Sequence, residues 1–483
     1  MLEEIIKERE KKLKEYSKGN NPYPAKVRRD FGLGEFLKKF AALLKSKKTF
    51  YVVGRVRALR DQGKIIFCDL EDGSRRTQIV LNEKELKNFE AIKAVLDIGD
   101  FLEIQGAAFK TQRGEKSVLA KAARIISKSL RPLPTDWFGL TDTETKLRKR
   151  YLDLILNPET KDIFLKKSIF WASARDYLVK ADFLEVETPV LERIPGGAEA
   201  EPFKTHHKAL DTDFYLRISL ELPLKKLLVG GFEKVFEIGR VFRNEGIDRE
   251  HLQDYTQMEC YWAYADYEEM MKFTEKLYQT VIKKTFGGLK IKSGGNLIDW
   301  GKKWPKVEYS EIFRRETGLN LAKASKNDLL QKIRDLKIET NLNLNNLGVG
   351  RLIDMIYKKT VRPKLIQPCF LVNPPVELEP LAKRLEKEPR LAQRFQIMAA
   401  GTELGKGFSE LNDPADQRKR FEEQMKLREM GDTEAQMLDE DFLESLEYGM
   451  PPAAGFGMSE RLFAVLMDKP IRETVFFPLM RAK

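Results

Sequence analysis

The chain is poor in the residues that build covalent and metal frameworks. Its three cysteines, Cys68, Cys260 and Cys369, stand far apart in 483 residues. They make no CxxC pair and no disulfide framework, which suits a reducing compartment. The three histidines are His206, His207 and His251, and the adjacent pair has no third ligand nearby, so no structural zinc site is expected. No run of about 18 apolar residues occurs, so no membrane-spanning helix is expected. The N-terminal stretch MLEEIIKEREKKLKEY is charged throughout and lacks the apolar centre of a secretion signal. Together these absences point to the cytoplasm, with no membrane partner.

What is present describes a globular chain with ample core material, 42% hydrophobic and 33% charged. Its length gives room for two or three domains. The formal net charge of +12 favours a polyanionic partner. Charge alone does not separate a nucleic-acid binder from a basic enzyme.

Residues 1–48 read as an N-terminal helical extension. A charged helix over 3–18, with the apolar stripe Leu2, Ile5, Ile6 and Leu13, ends at the breakers Asn20 to Pro24. Its lysine-rich face is either solvated or laid on a phosphate backbone. Over 49–131 the pattern becomes five short strands, with a helical piece at 83–96 between the third and fourth. That order matches a small closed barrel of the oligonucleotide-binding (OB) type, which holds single-stranded bases with a basic groove and an aromatic platform. Arg55, Arg57 and Arg60 lie on the first strand and its exit, Phe67 on the second and Gln78 on the third. Phe67 reads equally well as core. Pro132 and Pro134 open a linker over 132–150.

Residues 151–483 mix strands and helices. A long helix over 158–180 starts on Pro158, and a strand follows at 183–191. Pro189 restricts pairing there, so this is expected as an edge strand, and beside the helix it offers a dimerisation surface. The loop IPGGAEAEPF, 194–203, has the composition to fold over a pocket. Glu221 stands between leucines at the start of an apolar helix, where it needs a partner or faces a pocket. Next, a strand at 234–245, a loop at 246–254 and a strand at 255–262 form a hairpin. One face carries Arg243, Glu245, Tyr255, Glu259 and Tyr261, while the other is core-like. Both a half-exposed hairpin with a wet face and a pocket floor fit that pattern. Residues 290–345 read as mixed and mostly helical, with the look of an insertion. Within a strand at 394–411, Lys406, Phe408 and Glu410 share a face, and Glu403 joins them only through a bulge at Gly405 or Gly407. Finally, PPAAGFGMSER turns into an apolar helix opened by Arg461.

Three ordered motifs then carry a resemblance: FLEVETPVL around Pro189, FRNEG at 242–246, and GFGMSERL around Arg461. The chain resembles the class II aminoacyl-tRNA synthetases of subclass IIb, and within them the bacterial-type lysyl-tRNA synthetases. IPGGAEAEPFKTHH, LLVGGFEKVFEIGR, LIQPCF, GFSELNDP and LEYGMPP mark that branch. The resemblance covers essentially the whole chain, and the HIGH and KMSKS signatures of the unrelated class I are absent. It implies an α+β multidomain fold: an N-terminal OB-fold β-barrel for the anticodon, then a class II catalytic domain with an antiparallel β-sheet flanked by helices. The implied activity is lysine--tRNA ligase, using ATP and Mg2+ to make lysyl-adenylate and then lysyl-tRNA(Lys). The implied partners are L-lysine, tRNA(Lys) and a second copy in a homodimer, with Pro189 at the interface.

The residue roles come from the same resemblance. Arg243 contacts the α-phosphate of ATP and the reacting carboxylate. Arg461 stacks on the adenine opposite Tyr255, Glu245 takes the adenine amine, and His251 lies near the outer phosphates. Glu259, Tyr261 and Glu410 surround the substrate's side-chain ammonium, Glu221 binds its α-amino group and Phe408 packs on its alkyl stem. Glu403 holds magnesium. In the barrel, Phe67 stacks on an anticodon base and Gln78 reads one, with Arg57 on the same surface. Four positions depart from the family pattern: Gln396 for a second magnesium carboxylate, Lys406 for Asn, Leu252 for Asn, and Glu460 for Asp. A cation at 406 repels a cationic substrate unless it points to ATP or to a carboxylate. An enzyme that lysylates a protein is a further relative, set aside because such relatives typically lack the anticodon barrel, and two alternatives stand beside this reading. One is a tRNA-binding paralogue that does not activate an amino acid. The other is an aspartate- or asparagine-charging relative, against which the acids Glu259 and Glu410 argue and for which Lys406 speaks.

Overall fold

Alternation of apolar and polar residues in the N-terminal third closes five strands into a barrel. They are Thr49–Asp61, Ile65–Glu71, Arg76–Asn82, Phe101–Lys110 and Lys116–Ser127, with the fifth lying between the third and fourth. Val52, Val56, Ile66, Cys68, Leu70, Ile79 and Leu81 point inward. Phe67 is on the outer face, half-buried, rather than in the core. The helix between the third and fourth strands is shorter than its sequence suggests, Phe89–Val95. Asn82 takes the preceding residues into turns, its side chain accepting from the Lys84 N–H (2.9 Å) and its carbonyl from that of Leu86 (2.9 Å). Two helices precede the barrel, Leu2–Ser17 and Leu33–Ser46. The second sends Leu33, Phe36 and Phe40 into the barrel core.

This computed structural model describes residues 2–134, 140, 142–246, 248–340 and 342–481. It divides into two units, Met1–Thr141 and Asp142–Lys483. Of the stretch expected as linker, 135–139 and 141 lie outside the described residues. Its C-terminal part forms a helix, Thr143–Arg148, whose Thr145 N–H is capped by Asp142.

The second unit is built on an eight-stranded sheet. Its order is Lys306–Glu308, Cys369–Val372, Arg394–Ala399, Thr402–Ser409, Ala453–Ser459, Asp254–Ala263, Lys234–Phe242 and Leu184–Glu185. The inner pairings are antiparallel and the two outermost are parallel. Helices Pro158–Lys180 and Tyr267–Phe286 pack on one face, where Phe170, Leu178, Met258, Cys260 and Phe456 form the core. Helices Glu221–Val229, Pro414–Glu429 and Glu440–Glu447 pack on the other, around Leu224, Tyr261, Phe421 and Phe442.

Three expectations are corrected. The edge strand around Pro189 is broken into Leu184–Glu185 and Leu191–Glu192, which join different sheets. Pro189 has no N–H to donate, and Thr188 before it gives both its N–H (3.0 Å) and its hydroxyl (2.7 Å) to Glu237. The stretch 290–345 is not simply a helical insertion. It begins with a hairpin, Lys290–Ser293 and Asn296–Asp299, turned by two glycines at positive φ, and Lys306–Glu308 is an outer strand of the main sheet. Residues 394–411 are two strands rather than one, reversed at Ala400–Gly401, where both residues have positive φ.

Candidate functional site

The sheet face beneath the loop 194–203 forms a cavity of about 230 Å³. Gly197, Glu221, Arg243, Tyr255, Glu259, Tyr261, Glu403, Lys406, Phe408 and Arg461 all line it. The loop lies close because Gly197 has φ +81, and a Cβ there would meet the Glu221 and Ser219 side chains at 2.8 and 3.0 Å. The expected bulge is present: Ile397 pairs with Gly405 but Met398 with Glu403, so Leu404 is the extra residue and Glu403 reaches the cavity.

The strand expected to run to residue 245 ends at Phe242. The Arg243 backbone N–H still reaches across the hairpin to the Gln253 carbonyl (2.8 Å), and its side chain gives Nε to the Ile218 carbonyl (3.1 Å), with the guanidinium 5.6 Å from the Tyr255 ring centre. Arg461 gives its Nε to the Glu250 carbonyl (3.3 Å). Neither arginine pairs with a carboxylate among the described residues. Both also line a smaller adjoining cavity with Glu245, His251, Leu252 and Tyr255. His251 is turned by Asp248, 2.6 Å from its Nδ1, and its Nε2 is 4.0 Å from Glu245. Leu252 is buried in the apolar cluster of Tyr255, Ala464 and Ile471, which accounts for a leucine there. Glu460 is fully buried, accepts from the Thr256 N–H (3.2 Å) and pairs with Lys167. Its work is structural, tying the helix Pro158–Lys180 to the sheet.

Glu259 is 3% exposed and held entirely by neutral donors. Its Oε1 accepts from the Ser219 hydroxyl (2.7 Å), the Leu220 N–H (3.0 Å) and the Gln257 amide (2.6 Å), and its Oε2 from the Tyr261 hydroxyl (2.8 Å). No cation pairs with it among the described residues. Leaving a buried charge uncompensated costs several kcal/mol, so this carboxylate asks for a cationic ligand.

Glu410 behaves differently from the expectation. It does not line the cavity but lies behind Gly455, whose missing Cβ would strike Glu410 and Tyr261. Lys225, fully buried, pairs with both Glu410 and Glu221, the latter at 2.5 Å. Burial pushes the Glu221 carboxyl up to about 7 against the pull of Lys225, and raises Glu410 well above the ordinary carboxylate value. Burial works against the Lys225 ammonium, but the two carboxylates outweigh it and raise it. Sequence reading missed Lys225, although its place four residues after Glu221 on a helix was a usable signal.

Lys406 points to a carboxylate, Glu379, at 2.9 Å. Burial alone disfavours its charge, but Glu379 more than offsets this and raises it above the ordinary lysine value. Glu379 is a second omission, for which an acid between Leu378 and Pro380 gave no signal. Gln396 donates its amide to Glu403 at 2.5 Å. In the barrel, Phe67 pairs across strands with Arg60, whose guanidinium is 6.0 Å from its ring centre. Gln78, also on the outer face, accepts from the Ser117 hydroxyl (3.1 Å), and Arg57 pairs with Glu71 (2.9 Å).

A mainly antiparallel eight-stranded sheet with helices on both faces and a closed five-stranded barrel define the type of protein, and comparison gives its family. The family of class II tRNA synthetases (D, K and N) matches residues 142–481, and the OB-fold nucleic acid binding domain matches 50–126. The lysine--tRNA ligase of Pelotomaculum thermopropionicum is 43% identical over 488 residues, covering 100% of this chain and 96% of that one. The lysine--tRNA ligase of Carboxydothermus hydrogenoformans is 44% identical over 490 residues, covering 100% and 99%. That of Roseiflexus sp. is 43% identical over 489, covering 100% and 99%. The chain belongs to the lysine--tRNA ligase family of class II tRNA synthetases.

Proposed function

We propose that the chain activates L-lysine with ATP and transfers it to the 3′ end of tRNA(Lys). The observation that carries this is one cavity with uncompensated charge of both signs: the carboxylate of Glu259, and the guanidinium groups of Arg243 and Arg461. An ammonium answers the first and a polyphosphate the second. The lysine carboxylate attacks the α-phosphorus of ATP, forming lysyl-adenylate as pyrophosphate leaves. A ribose hydroxyl of the tRNA terminus then attacks the lysyl carbonyl and AMP leaves. No protein nucleophile is needed, and catalysis is positioning and charge stabilisation.

Arg243 steadies the α-phosphate and the reacting carboxylate, and Arg461 and Tyr255 hold the adenine between them. Glu245 takes its amine, and His251 faces the outer phosphates. Glu259 and Tyr261 take the side-chain ammonium, Phe408 packs on the alkyl stem, and Glu221 takes the α-amino group. Glu410 acts through Lys225. An uncharged competitor leaves Glu259 unpaired, a loss of roughly 10⁴-fold, whereas ornithine, shorter by one methylene, loses only about 1–3 kcal/mol.

One carboxylate, Glu403, beside a neutral amide, Gln396, suits a magnesium ion that keeps most of its coordination for water and phosphate oxygens. Among the described residues no group of three or more His, Cys, Asp or Glu is placed to hold a metal by itself. Glu403 and Gln396 would hold the ion, which supplies charge neutralisation on the phosphates when bound.

Phe67 and Gln78 on the outer face of the barrel support an anticodon surface, with Arg57 beneath it, paired with Glu71. Leu165, Ile169, Leu184, Val190 and Leu191 are exposed apolar residues on the long helix and around Pro189, which supports a homodimer across that face. None of the described helices is long and apolar enough to cross a membrane, and the cytoplasm, with its tRNA, is the compartment this reading implies. The test is ATP–pyrophosphate exchange, expected with lysine alone and without tRNA. Exchange with aspartate or asparagine, or tRNA binding without exchange, would refute it.

A further inference from the structure

One row of side chains crosses four neighbouring strands of the catalytic sheet: Gln396, Lys406, Gly457 and Glu259. Gly457 leaves its place in the row empty, so Lys406 and Glu259 border one space from strands on either side. At the usual spacing of adjacent strands their backbones are roughly 10 Å apart. Lysine is a zwitterion of suitable size for that gap. With its ammonium at Glu259, its reacting carboxylate and the phosphate it attacks come within reach of Lys406 from one side, while Arg243, which follows the strand on the other side of Glu259, lines the same cavity.

On the Lys406 side, the carboxylate that pairs with Lys406 is itself doubly matched. Glu379 is 4% exposed and lies between two cations, Lys406 at 2.9 Å and Arg394 at 3.5 Å. Gln396, directly opposite Lys406 in register, brings an amide instead of a carboxylate and directs its NH2 at Glu403. Glu379 is thus matched by Lys406 and Arg394, Glu199 in the same lining is paired with Arg351 at 3.9 Å, and Glu403 is left with the neutral amide of Gln396. A second divalent ion, beyond the one Glu403 would hold, meets the Lys406 ammonium and finds an amide rather than a carboxylate at 396, whereas an anion meets a fixed cation already held in place. We infer that the Lys406 ammonium takes the place of a divalent cation at the reacting end of the site, so that this chain binds ATP with one magnesium ion fewer than a wall with carboxylates at 396 and 403 would recruit. This rests on the adenylate-site reading above. Lys406 touches the reacting groups in this account, with Glu379 as its positioning residue.

The test separates this role from a purely structural ion pair. ATP affinity is measured by titration calorimetry in EDTA and in excess magnesium, for the wild type, Lys406→Asn and Lys406→Arg. The wild type is expected to lose less than about tenfold on removing magnesium, and Lys406→Asn about 10–100-fold more, the range of a charged hydrogen bond. Lys406→Arg should follow the wild type. If Lys406→Asn does not fold, Lys406→Gln, closer in length, carries the same comparison. Bound Mn2+, counted by electron paramagnetic resonance in the presence of ATP, should be one ion higher per site in the double variant Gln396→Glu/Lys406→Asn than in the wild type. Equal losses with and without magnesium, or equal Mn2+ counts, would overturn the inference. A wild type that binds no ATP even with magnesium would instead overturn the adenylate-site reading.

Discussion

The Tyr261 hydroxyl donates a 2.8 Å hydrogen bond to the Glu259 carboxylate, two residues back on the same strand face. With Ser219, Leu220 and Gln257 it fixes an anion in the cavity wall by neutral donors alone. Orientation is thereby separated from charge: the protein supplies the geometry and leaves the positive charge to the ligand.

Glu259→Gln keeps the shape and removes the charge. Lysine affinity should fall by about 2–5 kcal/mol, the cost of breaking a buried charge pair, while ATP affinity changes little. Separate titrations of the two ligands check this. Equal weakening of both would place Glu259 elsewhere in the mechanism.

Glu221 gives the site a pH dependence. Its carboxyl is pushed up to about 7, chiefly by burial. The substrate's ammonium needs the charged form, which is complete above that value and lost below it. Lysine binding should therefore weaken as pH falls through 7, by at most about tenfold per unit, and should release protons near neutrality. Calorimetry in buffers of different ionisation enthalpy measures that release. Proton uptake, or a lysine affinity flat from pH 6 to 8, would contradict it.

Lys225 bears two carboxylates in full burial. Lys225→Met leaves both without their cation, and the catalytic unit should lose about 3–5 kcal/mol of stability. Denaturant unfolding of the variant checks this. Restoring most of that loss with Glu410→Gln in the Lys225→Met background would show that the pair, rather than the packing, is responsible.

Phe67→Ala should weaken tRNA by about 1–3 kcal/mol, the worth of one stacked base, and leave ATP–pyrophosphate exchange unchanged. Aminoacylation kinetics against exchange kinetics decide it. Equal loss in both assays would remove Phe67 from the anticodon surface.

The legible part of this chain is what depends on local pattern. The two-residue period put Tyr255, Glu259 and Tyr261 on one sheet face, whereas on the second barrel strand it left Phe67 open as core, and the structure puts Ile66, Cys68 and Leu70 inside instead. Leu404 is a case where the chemistry of the expectation was sound: Glu403 needed a bulge to reach the cavity, and the bulge sits beside Gly405. What escaped the reading depends on distant partners. Glu379 and Lys406 are 27 positions apart in the numbering, and only the packed sheet makes them a pair. The charge on Glu410 looked available to a substrate because Lys225, which takes it, lies on another element. The side chain of Arg243 and the backbone of Thr188 are likewise held by distant groups, the Ile218 carbonyl and the Glu237 carboxylate, which no local propensity reports.

The central claim is that Glu259 faces the side-chain ammonium of lysine while Arg243 and Arg461 face ATP in the same cavity. ATP–pyrophosphate exchange with each of the twenty amino acids, in the absence of tRNA, tests it most directly. The expected result is exchange with lysine, abolished or strongly reduced in Glu259→Gln. Exchange that prefers another amino acid, or that survives Glu259→Gln at wild-type lysine concentrations, would contradict it.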